Sequence, residues 1–292
     1  MEWYVLALIA AALMSVRSIL DKKVLLKEHS MEYAAVFSLF IAFLTLPQFL
    51  YLDYSRLSWG LLLGIYGVCF IGSISLFLTY KVIQHLALSE GLPLLSTEIL
   101  FTALFAAFFL GERIRGGQAI GILLIIVGCY VLEARHHSTL LEPFRKLLRT
   151  KYFKYAFIAM ILYGFGGTFD KYFVSVAQLP SLDLLAISHT FHAVNFVIFM
   201  SLFHDGMKGI KKGITRYGTW ILLISVIALL SRVAYLEAAK LAYISLVIPI
   251  KRLSVFFSTL IGGEIFHEHH LLRRTLACLI ILIGGLFVIG IL

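Results

Sequence analysis

Apolar runs of about 20 residues recur along the whole chain, separated by short polar stretches. As a helix, a run of that length crosses roughly 30 Å of hydrocarbon. Backbone groups in lipid must be satisfied within their own segment, so these runs are read as helices; barrel strands would be shorter and alternating. Ten crossings are predicted, approximately 3–22, 32–52, 59–80, 90–110, 117–134, 153–175, 182–204, 218–240, 243–263 and 271–291. The first contains Arg17, leads straight into the second and is followed by no small-residue cleavage site, so it reads as a spanning helix rather than a signal peptide. Most connections are short, so sequential helices are expected to pack as neighbours. The longest polar segment, 133–155, falls between crossings five and six, where a linker joining two halves would lie.

Composition agrees with the pattern. Hydrophobic residues make up 61% of the 292 and charged residues 14%. With a mean hydropathy of +0.95, a soluble domain is excluded. The expected location is a cell membrane, crossed many times. The net charge of +9 is explained by loops beside anionic lipid, and nothing points to nucleic acid. Cys69, Cys129 and Cys278 all sit in apolar runs and form no CxxC pair, so they read as small structural residues. Neither a phosphate-cradling glycine loop, an HExxH helix nor a nucleophile elbow occurs. No enzyme activity, cofactor or metal is therefore expected. The run His267-Glu268-His269-His270 offers adjacent ligands on one short loop, which rarely close a tetrahedral site.

The chain also repeats itself. Moved back by 156 positions, 245–268 lies over 89–112. In that register Pro249 falls on Pro93, Phe257 on Phe101, Glu268 on Glu112 and, further on, Gly284 on Gly128. Only five prolines are present, so matching two of them is informative. A second register, offset by 149, lays Asp170-Lys171 over Asp21-Lys22. The expected fold is thus an all-α integral membrane protein of ten helices, built as two five-helix repeats over 1–135 and 153–292 with a basic linker at 136–152. Five crossings per copy is an odd number, so the second copy enters the membrane inverted.

A Pro-led fourth helix ending in Phe-Leu-Gly-Glu-Arg at 109–113, Gly121 and Gly128 in the next helix, and the second copy from Pro249 to Glu268 followed by Gly284-Gly285 carry a resemblance. On these motifs the chain resembles the EamA family of the drug/metabolite transporter superfamily over essentially its whole length. The resemblance implies a ten-helix carrier with a central cavity near the midplane, alternately open to each side. It implies little about substrate, because the family exports chemically diverse small metabolites. Lys251-Arg252 departs from the usual apolar or small-polar stretch after the proline of the ninth helix.

Charges inside the crossings are the next most informative feature, since each costs at least ~2.5–3.5 kcal/mol at mid-bilayer unless paired or hydrated. Arg17 and Asp21 are four apart, share a helix face and can pair. Asp170-Lys171 reads as an interfacial charge pair. Glu98 and Arg252 have no opposite charge at helical spacing in their own helices. The repeat lays Ser96 over Arg252 and Glu98 over Ser254, so the two charges come from related neighbourhoods. They either pair with each other or hold the two ends of something else. Lys251 points about 100° from Arg252, so the two are not expected to face one cavity equally, and Arg252 is favoured. Arg252 is the expected anchor for a metabolite carboxylate or phosphate, because its fork makes two parallel hydrogen bonds. Its face continues through Phe256 and Thr259. Proline frees the carbonyl four residues earlier, so the Pro93 and Pro249 helices, with Phe101 and Phe256, are expected to line the cavity. His189 and His192 share a helix face and read either as polar glue or as a proton relay.

Positively charged loops at 22–27, 135–154 and 208–216 lie on one side of the predicted topology. The charge bias makes that side cytoplasmic and puts both termini outside; the resemblance implies cytoplasmic termini. The expected function is secondary transport, outward, of a small polar or amphiphilic metabolite by alternating access, with Glu98 as the group that exchanges a coupling proton. The alternative is a non-transporting polytopic membrane protein, either an intramembrane enzyme or an assembly factor. Expected partners are the metabolite, the lipid bilayer and protons; monomer and homodimer are both open.

Overall fold

The computed structural model describes residues 2–86, 95, 98–133, 151–255, 257–258, 261, 280 and 283–287. Helix α1 is Trp3–Leu25, α2 Ser30–Thr45, α3 Trp59–His85, α4 Glu98–Leu110 and α5 Gly116–Glu133. Then come α6 Lys151–Lys171, α7 Ser181–Phe203, α8 Gly206–Leu241 and α9 Ile244–Arg252. No strand occurs among the described residues. Five of these helices, α1, α2 with its extension to Leu50, α3, α7 and α8, are long and apolar enough to cross a membrane. Large apolar side chains such as Leu63, Leu104 and Phe108 stand on the outer surface, where lipid rather than water is their natural solvent. Pro93, Phe256, Thr259, Glu268 and the 134–150 linker fall outside the described residues.

Two helices run longer than their apolar runs predict. α3 continues one turn past residue 80, to His85. α8 begins at Gly206, not at 218, and extends for 36 residues, about 54 Å. No proline interrupts 206–241, and its polar first turns pack on α2 and α7 instead of forming a loop. Gly209 and Gly213 make that approach possible. A Cβ there would lie 2.6 Å from Met200 Cε and 3.0 Å from Val36 Cγ2.

Sequential neighbours are not the main partners, contrary to the reading from loop length. α1 packs chiefly on α8 and α3 on α6, while α4 packs on α6 and α1 on α9. Exchanging α1, α3 and α4 for α6, α8 and α9 turns α1–α8 into α6–α3, and α4–α6 into α9–α1. The two halves of the chain interlock, and the space between them is walled by both.

Helix ends inside this bundle need partners that lipid cannot supply. Lys22 Nζ donates to the carbonyls of Ile83, Gln84 and Leu86 at the end of α3, at 2.6, 3.3 and 2.8 Å. Lys171 Nζ donates to Ala239 and Ala242 at the end of α8, at 2.5 and 2.8 Å. The offset of 149 carries Lys22 onto Lys171, and the offset of 156 carries Ile83 and Leu86 onto Ala239 and Ala242. Lys171 is therefore not half of an interfacial pair with Asp170. The Glu112 carboxylate, just past α4, accepts from the amides of Ile244 and Ser245 at 2.8 and 3.1 Å and from Ser245 Oγ at 2.6 Å. An anion there complements the positive end of α9.

Candidate functional site

A cavity of about 210 Å³ lies between the halves, lined by residues of every helix except α5. Much of its wall is apolar, with Phe37, Ile41, Ile65, Leu76, Phe173 and Ile248 among the lining. Set into that wall are seven ionisable groups of fixed charge: Arg17, Asp21, Glu98, Asp170, Arg232, Lys251 and Arg252.

Six of the seven form three arginine–carboxylate pairs. Arg17 Nε lies 3.3 Å from Asp21 Oδ2 on the same face of α1. Tyr80 accepts from Arg17 Nη2 at 2.9 Å, Tyr33 donates its hydroxyl to Asp21, and the guanidinium stacks 4.6 Å from the Phe37 ring centre. The second pair joins α8 to α6, with Arg232 Nη2 2.8 Å from Asp170, whose other partner is the Tyr235 hydroxyl at 3.3 Å. The third joins α9 to α4: Arg252 Nε donates to Glu98 Oε1 at 2.8 Å, and Nη2 sits against Oε2. Both members are almost wholly buried. Of the two arrangements open from sequence, direct pairing is the one adopted. A charge in a low-dielectric interior is tolerable only with such a partner, and losing one partner strands the other.

The remaining cation, Lys251, lines the same cavity as Arg252 and does not face away from it. Adjacent helical side chains diverge by about 100°, yet both residues line the one cavity. Lys251 Nζ stands 4.2 Å from the centre of the Tyr235 ring. His189 and His192 also line the cavity. The His192 Nδ1 shares a 2.8 Å hydrogen bond with Ser73 Oγ, which also accepts from Asn195 Nδ2 at 3.2 Å. Those contacts tie α7 to α3 and fit the polar-glue reading of His192. Cys69 is buried and borders the cavity.

Pro249 is buried inside α9 and is not among the residues lining the cavity, whereas Ile248, Lys251 and Arg252 are. Phe101 lies against Phe157, with ring centres 5.9 Å apart, and its backbone presses on Gly164 of α6. The cavity thus brings Glu98 and Arg252 together and leaves Phe101 and Pro249 in the surrounding packing. Sequence reading missed Asp170 and Arg232 as a pair, because 62 residues separate them and no local spacing connects them.

At one end of the bundle a second polar group joins the halves. Glu32 on α2 accepts from Lys212 Nζ at 2.9 Å and lies 3.4 Å from His204 Nε2, while His29 and His204 stack with ring centres 4.4 Å apart. Ligand atoms of Glu32, His204 and Asp205 come within 4.8 Å of one another. The ammonium of Lys212 already neutralises the Glu32 carboxylate, so this group is satisfied as an ion pair.

Residues 1–133 match the EamA-like transporter family. The first half of the chain is an EamA unit. The EamA unit thus contributes Arg17, Asp21 and Glu98 to the cavity, and the residues beyond it contribute Asp170, Arg232, Lys251 and Arg252. Over 60 residues, 20% of this chain, the sequence is 38% identical to the probable 4-amino-4-deoxy-L-arabinose-phosphoundecaprenol flippase subunit ArnE of Pectobacterium atrosepticum. The match spans about half of that relative, 53% of its length. The EamA unit and the rest of the chain together resemble a crystal structure known only as that of a protein, with a TM-score of 0.67, 16% identity and coverage of 95% of this chain and 96% of the other. That likeness establishes a shared fold across both halves.

Proposed function

We propose that the protein is a secondary active transporter that exports a small polar or amphiphilic metabolite by alternating access. The observation that carries this reading is the cavity walled by helices of both halves and studded with three arginine–carboxylate pairs, inside a bundle built for lipid. In this reading the chain is ten helices in two inverted repeats, 1–135 and 153–292, joined by the 136–152 linker. The matching lysine caps on the ends of α3 and α8 support that plan, as do the α1–α8 and α6–α3 contacts that exchange with one another. Two related bundles packed around a central site can rock between outward-open and inward-open forms.

Within this cycle Glu98 and Arg252 form a latch between α4 and α9, closed when the cavity is empty. Substrate or a proton on Glu98 opens it, since neutral Glu98 no longer holds the guanidinium. Phe256, Thr259, Pro93, Phe101 and Pro249 belong to the helices that move with it. The similarity to a subunit named for a phosphoundecaprenol-linked sugar fits a polar headgroup on an apolar body, and admits a second subunit or copy as partner.

The test begins with thermal stabilisation of purified protein by a panel of amino acids, organic acids, sugars and nucleotides. A stabilising compound is then followed by counterflow in proteoliposomes. Accumulation by wild type, with Glu98→Gln keeping counterflow and losing uptake driven by a pH gradient, supports the cycle. Stabilising compounds that never cross the bilayer would sink it in favour of a non-transporting role. A reporter fused after Leu292 decides which side of the cell membrane the termini occupy.

A further inference from the structure

Resting on that transport reading, we infer that Lys251 is a standing anchor for an anion, and that the carried molecule bears an anionic headgroup on a largely apolar body. Four cations and three carboxylates line the cavity. Each carboxylate is taken by an arginine: Asp21 by Arg17, Asp170 by Arg232, Glu98 by Arg252. Lys251 is left over. Among the described residues no carboxylate lies within ion-pair distance of its Nζ; its contact is the face of Tyr235. The Tyr235 hydroxyl is meanwhile occupied with Asp170. A ring face holds an ammonium weakly and leaves its three protons free to donate.

A cation in such a place is unfavourable for the empty protein, so its retention implies a partner that is present part of the time. Nothing in the fold demands it. The offset of 156 lays Leu95 under Lys251, and Leu95 lines the same cavity from the first half. The equivalent position is therefore filled by an apolar side chain where no charge is needed. Arg252 is the poorer anchor because its guanidinium is already closed by Glu98 and almost wholly buried, whereas Lys251 remains partly open to the cavity. Apolar side chains, Ile41, Ile65 and Leu76 among them, also line the cavity, and this suits a hydrocarbon or aromatic body. Carboxylate and phosphate both meet these requirements.

A set of small single-ring probes compares headgroups of different charge: benzoate, phenyl phosphate, neutral benzamide and cationic benzylamine, each added to purified full-length protein while thermal unfolding is followed. Benzoate or phenyl phosphate is expected to stabilise wild type, and benzamide and benzylamine are not. The stronger of the two anions identifies the headgroup. Lys251→Arg keeps anion binding, and Lys251→Met weakens it by at least about tenfold. Without any probe, Lys251→Met is expected to unfold at a higher temperature than wild type, because it removes an uncompensated charge; a residue serving the fold would give the reverse. A lower probe-free unfolding temperature for Lys251→Met, no response to either anion, or equal binding of benzylamine each overturns the assignment. Anion binding without counterflow leaves the anchor standing and fells the transport reading. Transport of a neutral or cationic compound that Lys251→Met does not affect does the opposite.

Discussion

Two Asp-Lys steps, 21–22 near the end of α1 and 170–171 at the end of α6, occupy corresponding places in the two halves and differ in their wiring at one residue. Lys22 and Lys171 do the same thing, closing the C-terminal carbonyls of α3 and α8. The aspartates do not. Asp21 takes its cation from its own helix, four residues back, while Asp170 takes it from α8. On the repeat reading, the two registers compare the remaining positions. Position 166, the counterpart of Arg17, is glycine, and position 76, the counterpart of Arg232, is leucine. On that reading the lysine caps are common to the two halves and the cavity charges are not. Residues that hold the bundle together can be expected in both copies, and residues that read a substrate in one.

The largest test of this comparison is the aspartates themselves. Asp170→Asn leaves Arg232 with the Tyr235 ring face, 5.1 Å away, and releases a tie between two helices, so a loss of about 3–5 kcal/mol is expected. Asp21→Asn is expected to cost less, about 1–3 kcal/mol, because Arg17 keeps Tyr80 and the Phe37 face. Denaturant or thermal unfolding of the two variants measures the difference. If Asp21→Asn proves the more damaging, the distinction between a pair within a helix and a pair between helices carries no weight.

The lysines come next. Lys22→Met and Lys171→Met each orphan buried carbonyls, and each is expected to cost about 1–3 kcal/mol. Lys22 serves three carbonyls and Lys171 two, so Lys22 should lie at the upper end. Amide exchange should accelerate in the last turn of α3 in one variant and of α8 in the other. A loss confined to one half would break the equivalence on which the repeat rests.

How much of this was legible beforehand follows from how local each cause is. Helix existence is local: a run of about 20 apolar residues in lipid has one good solution. So is Arg17–Asp21, since four residues along a helix put two side chains together. The Asp170–Arg232 pair and the cap by Glu112 on Ile244 and Ser245 join residues 62 and more than 130 positions apart, and only packing brings them together. The adjacency of Asp170 and Lys171 misled, because neighbouring residues on a helix face different surroundings. The same geometry misled for Lys251 in the other direction, since it lines the same cavity as Arg252. The long start of α8 was hidden by its charges, which read as loop until glycines 209 and 213 are seen against α2 and α7.

A smaller effect separates the halves at the turn after the first helix of each. The first half has Glu28-His29 there, and the offset of 149 gives Ala177-Gln178 in the second. Glu28 is 4% exposed, and its carboxyl lies beside that of Glu32. Burial, with Glu32 beside it, pushes its carboxyl from 4.5 up to about 7. The folded protein thus holds this proton more tightly than the unfolded chain. The resulting stabilisation is full below about pH 4.5 and is lost as pH rises through about 7. Glu28→Gln should match wild type near pH 4.5 and unfold at a higher temperature at pH 8, and taking the difference cancels groups common to both proteins. A difference that does not change with pH would show that Glu28 titrates alike in the folded and unfolded chain.

The smallest expected effect falls at Gly166, where the first half has Arg17. A Cβ on Gly166 would meet nothing within 4 Å, because the position opens into the cavity. Two residues earlier the situation is opposite, since a Cβ on Gly164 would lie 2.7 Å from Phe101 Cβ. Gly166 is therefore not required by packing. Its backbone is helical, so alanine adds helix propensity while removing a little cavity space. Gly166→Ala should leave stability within about 0.5 kcal/mol of wild type or raise it slightly. Its effect should appear in the cavity instead, as weaker stabilisation by the bulkier of two anions of equal charge. If Gly166→Ala destabilises as a packing glycine would, the space beside α6 is closed in the working protein. The absence of an arginine there would then reflect lack of room and not a redistribution of charge between the halves.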